Sequence, residues 1–367
     1  MLFKRVDIFC QVIDNFGDIG VVYRFAREFQ KRNTHLVLRV FVDNLDTFAC
    51  INPKVNTHLD IQTLDCVTYV KYSAMTSAYL ENTYIGDLLI EAFGCQIPDC
   101  AMEKAYFEST LLINLEYLSA EKWVEGYHLK ESLLPKGTLK KFFFMPGFTK
   151  NTGGLIFDYK ALHENLTLFD SRFSYLNNIL TNLHKPVQFS TSSKICSVFT
   201  YVHNFDNFLS DLIQCNEMYT ILVFGTKSQE SMFHSLQKLC TVNKNLESLT
   251  YRNLQVVNMP YVTQEQYDSI LYCCDFNIVR GEDSLARAIL SAKPFIWNAY
   301  LQDNKYHLVK VDALCEMMKP FFDNEESYYH YKMLETAFND HEKETVDHLS
   351  NESFTYFLKN LNKITPS

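Results

Sequence analysis

The stretch from Val6 to Arg32 constrains the fold more than any other. An apolar run, Val6 to Ile13, broken by Asp7 and Gln11, enters the loop Asp14-Asn15-Phe16-Gly17-Asp18-Ile19-Gly20. A helix-like stretch, Val21 to Arg32, leaves it, with Val21, Val22, Phe25 and Phe29 on one side and Arg24, Arg27, Glu28 and Lys31 largely on others. Strand, glycine-bearing loop, then helix is how a nucleotide-type α/β domain begins. The loop also carries two carboxylates. A loop that only cradled phosphate would avoid negative charge, because its N–H groups and the helix N-terminus attract anions. Asp14 and Asp18 therefore point to acids acting on something else, such as a cation.

The same rhythm continues. Phe3 to Ile13 reads as a buried first strand, Leu36 to Val42 as a second, Asp87 to Phe93 and Leu111 to Tyr117 as further parallel-type strands. Ligands of open α/β sheets lie beyond the carboxyl ends of strands. Asp14, Asp18, Glu91, Glu116 and Tyr117 all fall at or just past such ends, which places several acids on one rim. The second half repeats the pattern. Strands are expected at Lys194–Tyr201, Thr220–Phe224, Leu254–Met259, Phe276–Val279 and Pro294–Trp297, with helices at Asn204–Cys215, Gln264–Cys273 and Asp283–Ala292, and a mostly helical tail. At 367 residues the chain is long enough for two domains. The expected class is α/β of the GT-B kind: two Rossmann-like domains facing across a cleft, closed by C-terminal helices. The expected layout is residues 1–156 as the first domain, 157–190 as a connector, 191–339 as the second domain, and helices from about 340–367 packing back on the first.

Composition excludes several classes. Lys plus Arg number 34 and Asp plus Glu 43, a formal charge of −9, which argues against general nucleic-acid binding. The eleven cysteines contain no C-x-x-C and read as reduced thiols of a cytoplasmic protein. No signal peptide and no 18-residue uncharged apolar run is visible, so no membrane association is expected. There is no P-loop, no G-x-G-x-x-G and no H-E-x-x-H, and the histidines are dispersed; no metal cofactor is expected.

The second informative stretch is Arg280-Gly281-Glu282-Asp283-Ser284, which follows one strand and opens a helix. Asp283 or Ser284 would serve as an N-cap. Capping alone leaves Arg280 and Glu282 idle. A helix N-terminus beside an arginine is a ready pyrophosphate site, and an adjacent glutamate can accept from ribose hydroxyls. Phe199, Tyr201 and Tyr261 gather at strand ends of the same half, where aromatic rings either stack a base or fill the core, and Gln264 either reads a base edge or starts a surface helix.

Four stretches together resemble one family: Val12 to Gly20; Asn114 to Glu121; Phe144 to Thr149 with Gly153-Gly154-Leu155; and Arg280 to Ser284. In this order they are similar to the EarP-type protein-arginine rhamnosyltransferases. The resemblance implies a glycosyltransferase that moves L-rhamnose from dTDP-β-L-rhamnose, a co-substrate, to an arginine guanidinium of elongation factor P, with inversion. It implies catalytic acids at Asp14, Asp18 and Glu282. It implies nucleotide-sugar contacts from Phe199, Tyr201, Tyr261, Gln264, Arg280, Gly281, Asp283 and Ser284. Asn15, Phe16, Gly17 and Glu116 fall on the acceptor side. Thr200 stands where the family often has glycine, Asn298 and Leu301 where His and Pro are common, and Leu285 where an aromatic is usual. Two other readings are a nucleotide-sugar glycosyltransferase with another donor or acceptor, and a non-catalytic nucleotide-binding module. Oligomeric state is not legible.

Overall fold

Strands buried on both faces must be apolar nearly throughout, and helices must cover both faces. The computed structural model describes residues 3–13, 16–184, 187, 189–190, 192–240, 248–340 and 348–361. The chain divides into two units, Met1–Asp158 and Tyr159–Ser367. Both are built on this principle, and both are Rossmann-like.

The first unit runs β1 (Arg5–Cys10), α1 (Gly17–Arg32), β2 (Val37–Val42), α2 (Leu45–Ile51), β3 (Ile61–Leu64), β4 (Val67–Lys71), α3 (Ser77–Glu81), β5 (Leu88–Ala92), α4 (Asp99–Glu108), β6 (Leu111–Leu115), α5 (Trp123–Tyr127), β7 (Glu131–Ser132) and β8 (Lys140–Phe144). Its sheet has the order β3-β4-β2-β1-β5-β6-β8-β7, with β3 and β7 antiparallel at the two edges. Val6, Ile8 and Cys10 pack on one face with Ile19 and Val22 of α1; Phe9 packs on the other with Leu89 and Leu112. One polar exception is Asp7, which accepts two hydrogen bonds from the Arg39 guanidinium at 2.8 and 2.7 Å and a third from the Gly86 N–H at 2.7 Å.

The second unit runs α6 (Tyr159–Leu166), α7 (Arg172–Asn182), β9 (Lys194–Val198), α8 (Asp206–Gln214), β10 (Tyr219–Val223), α9 (Thr226–Leu239), β11 (Ser248–Tyr251), β12 (Leu254–Asn258), α10 (Gln264–Cys273), β13 (Phe276–Arg280), α11 (Gly281–Leu290), β14 (Phe295–Asn298), α12 (Tyr306–Met318), α13 (Glu325–Asn339) and α14 (His348–Lys359). The sheet order is β11-β12-β10-β9-β13-β14. Among the parallel strands of each sheet the order reverses once, between β1 and β5 in the first and between β9 and β13 in the second. These are the switch points at which such sheets bind ligands.

Several expected boundaries are corrected. β1 stops at Cys10 rather than Ile13, because the Val12 and Ile13 amides leave the ladder for the carboxylates of Asp43 and Asp18. α1 opens at Gly17 rather than Val21, with the Gly20 N–H on the Phe16 carbonyl at 2.9 Å. Within 157–190, expected as a connector, α7 is part of the second unit's core: Leu176, Ile179 and Leu180 are buried with Ile195, Leu222, Val257 and Ile270. The C-terminal helix, expected to pack back on the first domain, has its described ring contacts in the second unit. α14 packs within the second unit, placing Phe354 against Phe208 and Phe357 against Phe276, because the outer face of β9–β13 and α8 needs an apolar cover. Residues 341–347 and 362–367 of that expected segment lie outside the described residues.

Candidate active site

In the first unit the switch point is occupied by the start of α1. Asp18 lies in that helix's first turn, where a carboxylate is favoured by the helix dipole. It is fully buried, at 0% exposure, and its two oxygens each accept from a donor among the described residues. The Ile13 N–H reaches Oδ2 at 2.7 Å, and the Tyr117 hydroxyl reaches Oδ1 at 2.8 Å. Cys10 lies nearby; burial, reinforced by the Asp18 charge, pushes its thiol well up, away from thiolate formation. Phe16 and Gly17 sit beside Asp18 in sequence at the head of the helix. Asp14 and Asn15 lie outside the described residues. Glu116 accepts from Asn114 Nδ2 at 2.8 Å, and Glu91 is ion-paired with Lys141. It is the next residue, Tyr117, whose side chain reaches Asp18.

In the second unit β9 and β13 end side by side at the switch point. Arg280 is the last residue of β13 and is only 8% exposed. Its guanidinium lies over the Phe199 ring at 4.1 Å and the Tyr201 ring at 5.0 Å, and Nη1 donates to the Thr200 carbonyl at 3.0 Å. These contacts fix a buried cation at the head of α11. The loop that receives it is itself pinned. The Thr200 N–H donates to Ser228 Oγ at 2.7 Å, and the Tyr201 N–H to Asn298 Oδ1 at 2.9 Å. Gly225 follows β10 with φ 76°, and a Cβ there would lie 2.7 Å from the Phe199 ring, so both backbone and space call for glycine.

The helix head differs from expectation. Neither Asp283 nor Ser284 is the N-cap. Arg280 holds that position in extended backbone and supplies no side-chain cap, while Gly281, at φ 62°, makes the turn into the helix. Residues 282–284 thus lie inside the first turn. Asp283 Oδ1 lies 3.8 Å from Arg287 Nε, Glu282 Oε1 accepts from Lys310 Nζ at 3.3 Å, and Ser284 is buried. The helix head is clamped from behind. Trp297 Nε1 donates to the Gly281 carbonyl at 2.9 Å, and the Trp297 N–H meets both oxygens of Glu335 at 3.0 and 3.2 Å. Gln264 opens α10 after a Thr263/Gln266 capping box and is 8% exposed, so it is not a surface helix start. Tyr261 stands in the loop after β12 and is 57% exposed. The structure therefore brings Phe199, Thr200 and Tyr201 together around the buried guanidinium of Arg280.

A family model described as elongation-factor P (EF-P) rhamnosyltransferase EarP matches residues 6–366. The chain belongs to the EarP family. Membership makes it an enzyme, a glycosyltransferase of the protein-arginine rhamnosyltransferase kind. A protein-arginine rhamnosyltransferase of Shewanella oneidensis is 35% identical over 329 residues, covering 86% of this chain and 82% of the relative. One from Pseudomonas aeruginosa is 33% identical, covering 85% and 81%. Among solved structures, one described as the structural basis for EarP-mediated arginine glycosylation of translation elongation factor EF-P matches with TM-score 0.65 at 21% identity. It covers 98% of this chain and 90% of the other. That structure supports the EarP fold, a pair of Rossmann-like domains, for the present chain.

Among the described residues no group of three or more His, Cys, Asp and Glu side chains could hold a metal ion, and no helix is long and apolar enough to cross a membrane. Sequence reasoning places Tyr117 on the rim of strand ends without giving it a role, and it passes over Phe93 in the first unit and Trp297 and Glu335 in the second. Tyr117 has a usable signal, its place just beyond the end of β6. Glu335 has none, because its partner is 38 positions away.

Proposed function

We propose that this EarP-family enzyme transfers L-rhamnose from dTDP-β-L-rhamnose to an arginine guanidinium of elongation factor P, with inversion and with Asp18 as general base. The observation that carries the reading is Asp18 itself: a buried carboxylate at a switch point, oriented by two donors. Support for donor and acceptor comes from the relatives' names and from the solved EarP structure described as glycosylating arginine of EF-P.

The chemistry suits the residues. A guanidinium has a pKa of about 13.8 and is a poor nucleophile until a base accepts its proton. A guanidinium nitrogen attacks the anomeric carbon from the face opposite the diphosphate. The C–O bond to phosphate breaks, and dTDP leaves with the electron pair. The N–H proton passes to the Asp18 carboxylate as the new C–N bond forms. Asp14 is proposed to hold the other edge of the guanidinium, together with Glu116, Phe16, Gly17 and Asn15 on the acceptor side. Arg280 and the N–H groups of the first turn of α11 offset the charge on the leaving diphosphate. Phe199, Tyr201, Tyr261 and Gln264 are proposed to hold the nucleoside. Gly281, Asp283 and Ser284 line the diphosphate end. Glu282, through Lys310, steadies the same turn. The reaction needs no metal cofactor, and its place is the cytoplasm, where the acceptor acts in translation.

The test is the mass of elongation factor P after incubation with enzyme and dTDP-rhamnose. One added deoxyhexose is expected, retained in EDTA and lost with Asp18→Asn. An unmodified acceptor with active donor refutes the assignment. Modification of other acceptors only would favour a different glycosyltransferase, and nucleotide binding without turnover a non-catalytic module.

A further inference from the structure

We infer that Tyr117, held flat against Phe93, is a positioning residue that sets the orientation of the Asp18 carboxylate. The inference rests on the reading of Asp18 as the base and adds a second layer to it. Two independent features point to it. The first is direct: Tyr117 donates its hydroxyl to Asp18 Oδ1 at 2.8 Å, while the Ile13 amide takes Oδ2, so the two donors fix the plane of the carboxylate. The second concerns the ring that carries that hydroxyl. Phe93 and Tyr117 stack with centroids 4.3 Å apart and planes 15° from parallel.

Phe93 makes this stack from an unfavourable backbone. Its φ is 58°, in the left-handed region that favours glycine, and Gly94 follows at φ 65°. The turn could be made by glycine at both positions. A bulky aromatic held there is strain of the kind found at functional sites. The surrounding pairing enforces it. The Phe93 N–H donates to the Leu115 carbonyl at 2.7 Å, extending the β5–β6 ladder by one bond. The Cys95 N–H then closes the turn on Ala92 at 3.1 Å. Adjacent strand ends thus deliver Phe93 and Tyr117 side by side, next to the head of α1. A phenol can orient a carboxylate only if its own ring cannot swing, and the stack supplies that restraint.

The experiment compares Tyr117→Phe and Phe93→Gly with the parent and with Asp18→Asn, using dTDP-rhamnose and elongation factor P. Tyr117→Phe is expected to lower kcat at least tenfold, with the KM for dTDP-rhamnose within twofold and a single cooperative thermal melt well above the assay temperature. Phe93→Gly relieves the backbone strain and removes the ring, and is expected to lower kcat in the same way. In an Asp18→Glu background, where the carboxylate is already displaced by one methylene, Tyr117→Phe is expected to add less than a twofold loss. A Tyr117→Phe enzyme with kcat within twofold of the parent, while Asp18→Asn is inactive, overturns the inference alone. So does a Tyr117→Phe loss that multiplies fully with Asp18→Glu. An Asp18→Asn enzyme with parental kcat removes the base assignment, and the inference with it.

Discussion

Arg280→Lys is the sharpest perturbation of the second site, because it keeps the charge and removes only geometry. Arg280 spans two rings and one carbonyl from a position 8% exposed. A desolvated cation–π contact is worth about 2 kcal/mol, and a hydrogen bond from a charged donor about 1.5–3 kcal/mol. An ammonium can keep one such contact but cannot lie flat across two rings while donating sideways. The expected loss of stability is about 1–2 kcal/mol, a fall in melting temperature of roughly 2–8 °C for a unit of this size. The effect on turnover is larger. Removing one preorganised group from a developing charge costs about 10²–10³ in rate. A hundredfold fall in kcat/KM for dTDP-rhamnose corresponds to about 2.7 kcal/mol. Initial rates of deoxyhexose transfer, followed by mass spectrometry on the acceptor, measure this directly, with a thermal melt as the companion reading. An Arg280→Lys enzyme with kcat/KM within threefold of the parent would refute the assignment of Arg280 as the group that carries the diphosphate.

Two predictions concern the frame of the molecule. Burial raises the Glu335 carboxyl to about 8, only partly offset by the Trp297 N–H and Tyr331, so the folded protein keeps a proton that the unfolded chain loses above about 4.5. The contribution of Glu335 to stability is then full below pH 4.5 and falls between 4.5 and 8 by roughly 1.4 kcal/mol per pH unit; Glu335→Gln should flatten that slope in urea titrations at about pH 6, 7 and 8, and an unchanged slope would sink the claim. In the first unit, Arg39→Met strands the fully buried Asp7 carboxylate and should cost about 3–5 kcal/mol of unfolding free energy. Asp7→Leu on top of it should recover much of that loss, and no recovery would mean that the pair is not the cause.

What can be read from the chain alone has a common cause. Residues 6–10, 38–42, 88–92 and 276–279 are strands between two helical layers, and burial on both faces makes them recognisable as apolar runs. Asp18 and Arg280 are visible because both stand next to glycines just past such runs, where ligands of parallel sheets collect. The helix head at Arg280–Ser284 is misplaced by its own composition. Asp283 and Ser284 are good capping residues, yet Gly281 can turn left-handed and starts the helix earlier. The allegiance of α7 and α14 is illegible because an amphipathic helix states that one face is buried, not against which neighbour.

The sequence by itself determined the two βα series, the acidic loop of the first unit and the arginine-headed helix of the second, since these follow from local periodicity and from residue chemistry at strand ends. Tertiary structure decided the rest: that Tyr117 rather than Glu116 reaches Asp18, that Phe93 bears strain to support it, and that Arg280 lies flat on Phe199 and Tyr201. The physical reason is range. Hydrophobic period acts over a few residues, whereas a carboxylate and the hydroxyl that orients it are 99 positions apart and meet only when strands from distant parts of the chain pair.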